Sequence, residues 1–117
     1  MITFICYDRC STCKKAQKWL DARGIKYRKR PIKEESPTAK ELLSWIKKSG
    51  KDARKFFNTS GILYREMGLS SRVKEMTDRE IADLLATDGM LVKRPLLVTE
   101  KNVLVGFKEA EWAENVS

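Results

Sequence analysis

The feature that most constrains the fold of this chain is the pair Cys10 and Cys13, which stands between a strand-like segment and a helix-like segment. Residues 2–7 form a short run rich in β-branched and aromatic side chains, which favours a buried strand over a helix. From Ser11 onwards the apolar side chains recur at helical spacing, and Gly24 stands where such a helix would end. We therefore predict a first strand over residues 2–7 and a first helix over about residues 12–23.

A second strand follows this helix, because residues 25–32 alternate apolar and basic side chains. Pro31 limits the strand at its end, since proline has no N–H group to donate to a sheet. A strand, a helix and a second strand in this order predict a parallel pair that is joined by a right-handed crossover.

The next part of the chain has the pattern of helices. Residues 36–38 followed by Glu41 resemble a capping box, and an apolar stripe then continues to Gly50. Residues 51–76 carry weaker signals, of which the clearest is a short helical piece over residues 62–67, bounded by a glycine on each side. We predict one well-defined helix before Gly50 and short helical pieces after it.

The last third of the chain predicts a helix, a hairpin and a closing helix. Residues 77–80 form a second capping box, which opens a helix that ends near Gly89. The side chains predicted to face inward from this helix are Ile81, Leu84 and Leu85. Residues 96–99 and 103–105 flank a polar turn, as in a β-hairpin, and residues 108–115 close the chain as a helix.

This order of elements predicts an α/β fold of the thioredoxin-like type, with a small mixed central sheet. The chain reads as a βαβ unit, a helical insertion over about residues 36–90, and a ββα unit. Its length suits a single domain over residues 1–117, and it has no linker rich in Gly, Pro and Ser. The apolar runs are far shorter than the roughly 20 residues that cross a bilayer, and the start of the chain lacks a secretory signal. We therefore expect a cytoplasmic monomer that does not enter the membrane.

The cysteine count points to redox chemistry. The chain has three cysteines and no histidine, and a reducing compartment argues against a framework of structural disulfides. A zinc site needs about four nitrogen or sulfur ligands, which this set does not supply, so we predict no metal site. Cys6 lies inside the first strand, where an inert core thiol is the natural interpretation.

The position of Cys10 at the start of a helix predicts an ionised nucleophile. Unpaired N–H groups and the positive end of the helix dipole favour a thiolate over a thiol at such a position. Arg9, Lys14 and Lys15 add positive charge nearby. Cys13 stands one turn further on and is the candidate resolving thiol, which would attack a mixed disulfide formed on Cys10. The alternative is that both cysteines are small buried apolar residues without a chemical role.

The formal charge of +8 favours anionic ligands, acidic proteins or nucleic acid as partners. Arg54 and Arg94 each offer a planar, permanently charged group to an oxyanion or to a carboxylate, although most surface charges only interact with water. The basic residues form no recognition helix, so we predict no direct binding of nucleic acid. Pro95 precedes the hairpin, where a proline is tolerated at the first position of a strand.

Several stretches together resemble the arsenate reductase and Spx family over nearly the whole chain. They are residues 7–16, 57–61, 64–66, 89–98 and 105–107. This resemblance implies a thioredoxin fold with a helical insertion and a catalytic cysteine at Cys10. In the glutaredoxin-coupled arsenate reductases three arginines surround the thiolate. Two of them match Arg54 and Arg94, whereas Gly106 stands at the third position and Cys13 replaces a serine. Pro95 matches the cis-proline that lies against the substrate disulfide in thioredoxin folds.

The sequence therefore supports two functional hypotheses. The first is an arsenate-reductase-like thiol–disulfide oxidoreductase without a tightly bound cofactor, with Cys10 as nucleophile and Cys13 or glutathione resolving the adduct. Its substrate would be a small oxyanion or a disulfide bound by Arg54, Arg94, Pro95 and Lys14, and its electron donor would be glutathione, thioredoxin or glutaredoxin. The second is an Spx-like redox switch that docks on RNA polymerase without turnover. Against it, the chain ends at Ser117, with little of the C-terminal extension that the resemblance to Spx leads us to expect.

Overall fold

The computed structural model of the protein describes residues 1–116, which form a four-stranded mixed sheet in the strand order β2-β1-β3-β4. The strands are β1 (Thr3–Cys6), β2 (Arg28–Pro31), β3 (Leu96–Val98) and β4 (Val103–Val105). β1 pairs parallel with β2 and antiparallel with β3, and β3 pairs antiparallel with β4. The predicted α/β, thioredoxin-like fold with a small mixed sheet is therefore confirmed.

Helices cover both faces of this sheet. They are α1 (Ser11–Ala22), α2 (Ala39–Ser49), α3 (Ile62–Glu66), α4 (Leu69–Arg72), α5 (Asp78–Leu85) and α6 (Glu109–Asn115), with short 3-10 turns at Ala53–Phe56, Val73–Glu75 and Gly89–Leu91. Within residues 1–116, none of these helices combines the length and the apolar character that crossing a bilayer requires.

Alternation along β1 separates two hydrophobic clusters. Phe4 and Cys6 belong to a cluster with residues of α1 and α6, including Leu20 and Trp112. Ile5 faces the other way, into a larger cluster with α2, α5 and the rest of the insertion. Successive side chains of a strand point to opposite faces of the sheet, so the short run at the start of the chain supports both halves of the core.

Both predicted capping boxes are confirmed. The Thr38 hydroxyl accepts a hydrogen bond from the Glu41 N–H at 3.1 Å, and the Glu41 carboxylate accepts one from the Thr38 N–H at 3.0 Å. Thr77 and Glu80 repeat the arrangement at the start of α5. Gly50 ends α2 with a φ of +66°, a left-handed conformation that favours glycine.

The structure corrects several predicted boundaries. β2 covers only Arg28–Pro31, because its parallel partner β1 offers four residues for pairing. α5 ends at Leu85 rather than near Gly89, and a separate 3-10 turn follows. Leu84 is half-buried rather than fully inward.

The segment with weak sequence signals is held by a few large apolar side chains rather than by long helices. Phe56, Phe57, Leu69 and Val73 are all buried in the larger cluster. The helical piece predicted over residues 62–67 is present as α3. Short helices gain most of their stability from such tertiary packing, which explains why the local pattern was weak.

An ion pair next to the first capping box makes the stability of the fold depend on pH. Arg30 donates to both carboxylate oxygens of Glu41, at 2.7 and 2.9 Å, and this lowers the Glu41 pKa to about 2. Because the folded-state pKa lies below the ordinary value of 4.5, the stabilisation is present above that pH and is lost as the pH falls towards 2.

We expect Glu41→Gln to lower the free energy of unfolding by about 1 kcal/mol at neutral pH, since the Glu41 side chain is partly exposed and water screens the pair. Glutamine can keep the capping hydrogen bond, so the loss reports the ion pair. Glu80→Gln is the matched control, because Glu80 caps α5 without an arginine partner among the described residues. Urea unfolding of the three proteins tests this prediction, and equal losses for both variants would contradict it.

Candidate functional site

Cys10 lies at the junction between β1 and α1, as the sequence predicts. Its backbone N–H donates to the carbonyl of Tyr7 at 3.0 Å, and its carbonyl accepts from the Lys14 N–H at 3.1 Å. Cys10 is therefore the N-cap residue of α1, with an extended backbone at φ −93° and ψ 118°. The first turn of the helix has N–H groups without partners inside the helix, and the half-buried side chain of Cys10 lies next to them.

The surroundings of Cys10 favour its thiolate. Burial opposes ionisation, but the N–H groups of Cys13 and Thr12, the Cys13 thiol and the charge of Arg94 outweigh it. The net result is that the Cys10 pKa lies below its ordinary value of 9.0. The sulfur makes no capping hydrogen bond of standard geometry, so the amides of the first turn act on it mainly as dipoles that attract negative charge.

Cys13 has the opposite character. Its side chain is only 3% exposed, and burial is the main cause that raises the Cys13 pKa to about 12. The Tyr7 N–H donates to its sulfur at 3.4 Å, and the negative charge of a Cys10 thiolate raises the pKa further. The structure therefore favours the ionised form of Cys10 and opposes ionisation of Cys13.

Cys6 lies in the same small cluster of the core as Cys13 and is buried. Burial raises the pKa of the Cys6 thiol above 9.0. All three cysteines are free thiols. A buried thiol with a raised pKa reacts slowly, which agrees with the interpretation of Cys6 as a core residue.

Arg94 is held beside Cys10 by the protein itself. Its Nη1 donates to the carbonyls of Met90 and Val92 at 3.3 and 3.4 Å, and its guanidinium carbon lies 5.2 Å from the centroid of the Tyr7 ring. A guanidinium has five N–H donors, and only those on Nη1 have protein acceptors within residues 1–116. Arg94 can therefore bind a ligand anion while it stays in place.

Cys10 and Arg94 both line a cavity of about 490 Å³, which we call the thiol cavity. The rest of its wall consists of Thr12, Asn58, residues 60–63, Met90 and Lys93. Ile62 at this wall is an apolar side chain that is 68% exposed. The lining of the cavity thus includes one ionisable sulfur and two cationic side chains.

The structure brings only some of the predicted site residues together. Pro95 is buried, follows Arg94 directly, and is joined to it by a cis peptide bond. Lys14 is exposed and does not line the thiol cavity. Arg54 also lies outside it, because its guanidinium is bound to the Asp52 carboxylate, with Nη2 2.7 Å from Oδ2. The substrate-binding roles predicted for Lys14 and Arg54 have no support in this arrangement, and remain predictions.

Sequence reasoning did not single out Lys93, Asn58 or Ser60 as site residues. Lys93 lies next to Arg94 in the Lys-Arg-Pro run, which was the available signal. Asn58 and Ser60 lie in a stretch that carried the family resemblance but had no assigned role.

No group of three or more acidic, Cys or His side chains that could hold a metal occurs in the described part of the chain.

The fold and the site define a thioredoxin-like protein with two cysteines at the start of its first helix. Sequence comparison identifies the family. The ArsC family model matches residues 6–115. The chain therefore belongs to the ArsC family.

Two relatives match over nearly the whole chain. The chain is 46% identical to Bacillus subtilis YusI over 114 residues, which cover 97% of each protein. It is 29% identical to the regulatory protein MgsR of Bacillus subtilis over 110 residues, covering 94% of this chain and 86% of MgsR.

Two solved structures are similar over nearly their whole length. An ArsC-family-related protein from Bacteroides fragilis is 53% identical with a TM-score of 0.94, covering 97% of this chain and 95% of that one. A protein described as a possible arsenate reductase from Streptococcus mutans is 41% identical with a TM-score of 0.90, covering 98% of each chain.

Replacing Arg94 by glutamine should raise the Cys10 pKa, because the variant loses a positive charge that favours the thiolate. Arg54→Gln removes the same charge from outside the thiol cavity and should leave the Cys10 pKa where it is. The measurement is the pH dependence of Cys10 alkylation by iodoacetamide, followed peptide by peptide with mass spectrometry. Equal shifts in the two variants would show that the effect is one of net charge rather than of position.

Proposed function

We propose that this protein is a thiol–disulfide oxidoreductase in which Cys10 is the nucleophile and Cys13 is the resolving thiol. The observation that carries the proposal is the opposite effect of the structure on the two sulfurs, which lowers the pKa of Cys10 and raises that of Cys13. An accessible thiolate attacks a substrate, and a neighbouring protonated thiol does not compete with it.

In the first step, the Cys10 thiolate attacks one sulfur of a substrate disulfide. A new S–S bond forms between Cys10 and that sulfur, the substrate S–S bond breaks, and the other substrate sulfur leaves as a thiolate. Arg94 lines the same cavity and offers its unpaired N–H groups to an anionic group of the substrate. The leaving thiolate takes a proton from water.

In the second step, Cys13 gives up its proton to the solvent and attacks the Cys10 sulfur of the mixed disulfide. A Cys10–Cys13 disulfide forms, and the remaining substrate sulfur leaves as a thiolate. Cys13 ionises more readily at this stage, because the Cys10 sulfur is now bonded and no longer carries the negative charge that raises the Cys13 pKa. The substrate gains two electrons and the protein dithiol loses two.

An external thiol must then reduce the Cys10–Cys13 disulfide before another cycle. Glutathione, thioredoxin and glutaredoxin all have the required chemistry, and no tightly bound cofactor is needed. Such exchange runs through a second mixed disulfide, and Cys10 is the accessible sulfur, because Cys13 is buried. The donor therefore attacks Cys10.

A disulfide suits the thiol cavity better than a small oxyanion such as arsenate. Arg94 is the one arginine in the cavity wall, and each charge-assisted hydrogen bond to an anion contributes about 1.5–3 kcal/mol. A volume of about 490 Å³ also has room for more than a single oxyanion. We propose disulfide reduction as the main reaction and expect arsenate turnover to be much slower.

Cys10→Ser should abolish reduction of a disulfide substrate, because no nucleophile remains. Cys13→Ser should stop the reaction after the first step and accumulate a covalent adduct on Cys10. Cys6→Ser is the matched control and should react like the unaltered protein, since Cys6 is buried away from the cavity wall. Insulin disulfide reduction measures turnover, and intact-protein mass spectrometry detects the adduct. Full activity in Cys10→Ser would refute the mechanism.

A second candidate is a redox-responsive transcription regulator, which the similarity to MgsR and to Spx 2 of Bacillus anthracis favours. In this case the Cys10–Cys13 disulfide would be a signal rather than an intermediate. RNA polymerase would be the partner that reads it. A pull-down with purified RNA polymerase distinguishes the two functions: retention of the oxidised protein but not of Cys10→Ser would favour the regulator, and equal absence of binding would favour the enzyme.

A further inference from the structure

A second cavity, of about 560 Å³, adjoins the thiol cavity and has a strongly cationic wall; we call it the basic cavity. Its charged lining residues are Lys51, Arg54, Lys55, Lys74, Lys93 and Lys108, against the single carboxylate of Asp52. Neither the family resemblance nor the proposed function assigns a role to any of the five lysines in this lining.

Most of this charge is available to a ligand. Asp52 neutralises Arg54, and Glu111 pairs with Lys51 at 2.8 Å. Among the residues that the structure describes, the other four lysines have no ion-pair partner. Cations gathered around a concave surface without matching anions produce a positive potential that attracts negatively charged ligands.

The floor of the basic cavity is apolar, which separates it from an ordinary patch of surface lysines. Phe57 and Val73 are buried, and Tyr64 packs on Phe57 with ring centroids 5.7 Å apart. Ligand sites commonly combine such an apolar floor with a few polar groups that select the ligand.

The two cavities share a wall and one side chain. The N–H of Asn58 donates to the Leu91 carbonyl at 2.7 Å, and the N–H of Lys93 donates to the Phe56 carbonyl at 2.8 Å, which ties the two segments together. Side chains alternate along residues 57–60, so that Phe57 and Thr59 line the basic cavity, whereas Asn58 and Ser60 line the thiol cavity. Lys93 lines both.

Gly106 makes room for Lys93 at this boundary. A Cβ atom at position 106 would lie 3.2 Å from Cε of Lys93, closer than ordinary contact, and the φ of +73° also favours glycine there. A side chain at position 106 would therefore crowd Lys93, which lines both cavities.

We propose that the two cavities form one binding site for disulfides that carry carboxylates close to the reacting sulfur. The sulfur occupies the thiol cavity at Cys10, and the carboxylates extend past Lys93 into the basic cavity. This inference rests on the proposed function, because it names the class of disulfide that the enzyme reduces. Such a disulfide can be a small molecule or an acidic segment of a protein.

The experiment compares disulfide dimers of two short peptides, one with glutamates beside its cysteine and one with glutamines in their place. The unaltered protein should reduce the glutamate peptide with the higher kcat/KM. In Lys74→Gln/Lys108→Gln this preference should fall by about fivefold, which corresponds to two partly exposed ion pairs. Lys93→Gln should also reduce it, because Lys93 lines both cavities. Added salt should weaken the preference in the unaltered protein.

Lys26→Gln/Lys101→Gln is the charge-matched control, because both lysines are exposed and line a different part of the surface. It should keep the full preference for the glutamate peptide. Glutathione disulfide in the same assay separates the two sources: a charge effect shared with glutathione disulfide indicates a small-molecule substrate, and an effect confined to the peptide indicates an acidic protein segment. Equal rates for the two peptides, or equal losses in the two double variants, would overturn the proposal.

A binding measurement keeps this inference distinct from the proposed function. Cys10→Ser is titrated by calorimetry with the glutamate peptide carrying serine in place of cysteine, so that no exchange occurs. Binding that is lost in Lys74→Gln/Lys108→Gln supports the site even if no disulfide is ever reduced, in which case the proposed function alone fails. Turnover without any preference for the glutamate peptide would support the proposed function and overturn the carboxylate-binding site.

Discussion

The stabilisation of negative charge on the Cys10 sulfur is the interaction on which the rest of this account depends. β1 ends and α1 begins within a few residues, so the Cys10 sulfur lies next to the unpaired amides of the first turn, while its partner Cys13 is buried in the core. The start of α1 therefore gives Cys10 its lowered pKa and Cys13 its burial. The core cluster of α1, α6 and one face of the sheet holds this start of the helix in position.

The helical insertion supplies the second contribution to the site. Arg94 is held by the carbonyls of Met90 and Val92, which follow the last helix of the insertion. The 3-10 turn Gly89–Leu91, which contains Met90, is packed against the larger core cluster. A guanidinium that is already oriented loses little freedom when it binds an anion. The insertion thus helps to hold a cation at the thiol cavity, and its residues 57–60 line both that cavity and the basic cavity.

The sequence predicts those parts of the structure that depend on residues close together in the chain. The position of Cys10 at a helix start, both capping boxes and the hairpin follow from local patterns, and the structure contains each of them. The surroundings of Arg54 and Lys93 did not follow, because they depend on the pairing of Phe57 with Val92, which are far apart in the sequence. That pairing brings residues 57–60 beside Lys93 and Arg94, which a local pattern does not reveal.

The most direct test of the central claim is a carbon-13 NMR titration of the Cβ atoms of the reduced protein, which follows each cysteine separately. The account predicts that Cys10 titrates below 9.0, that Cys6 titrates above it, and that Cys13 titrates near pH 12. A Cys10 signal that titrates at or above 9.0, or that titrates together with Cys13, would contradict it.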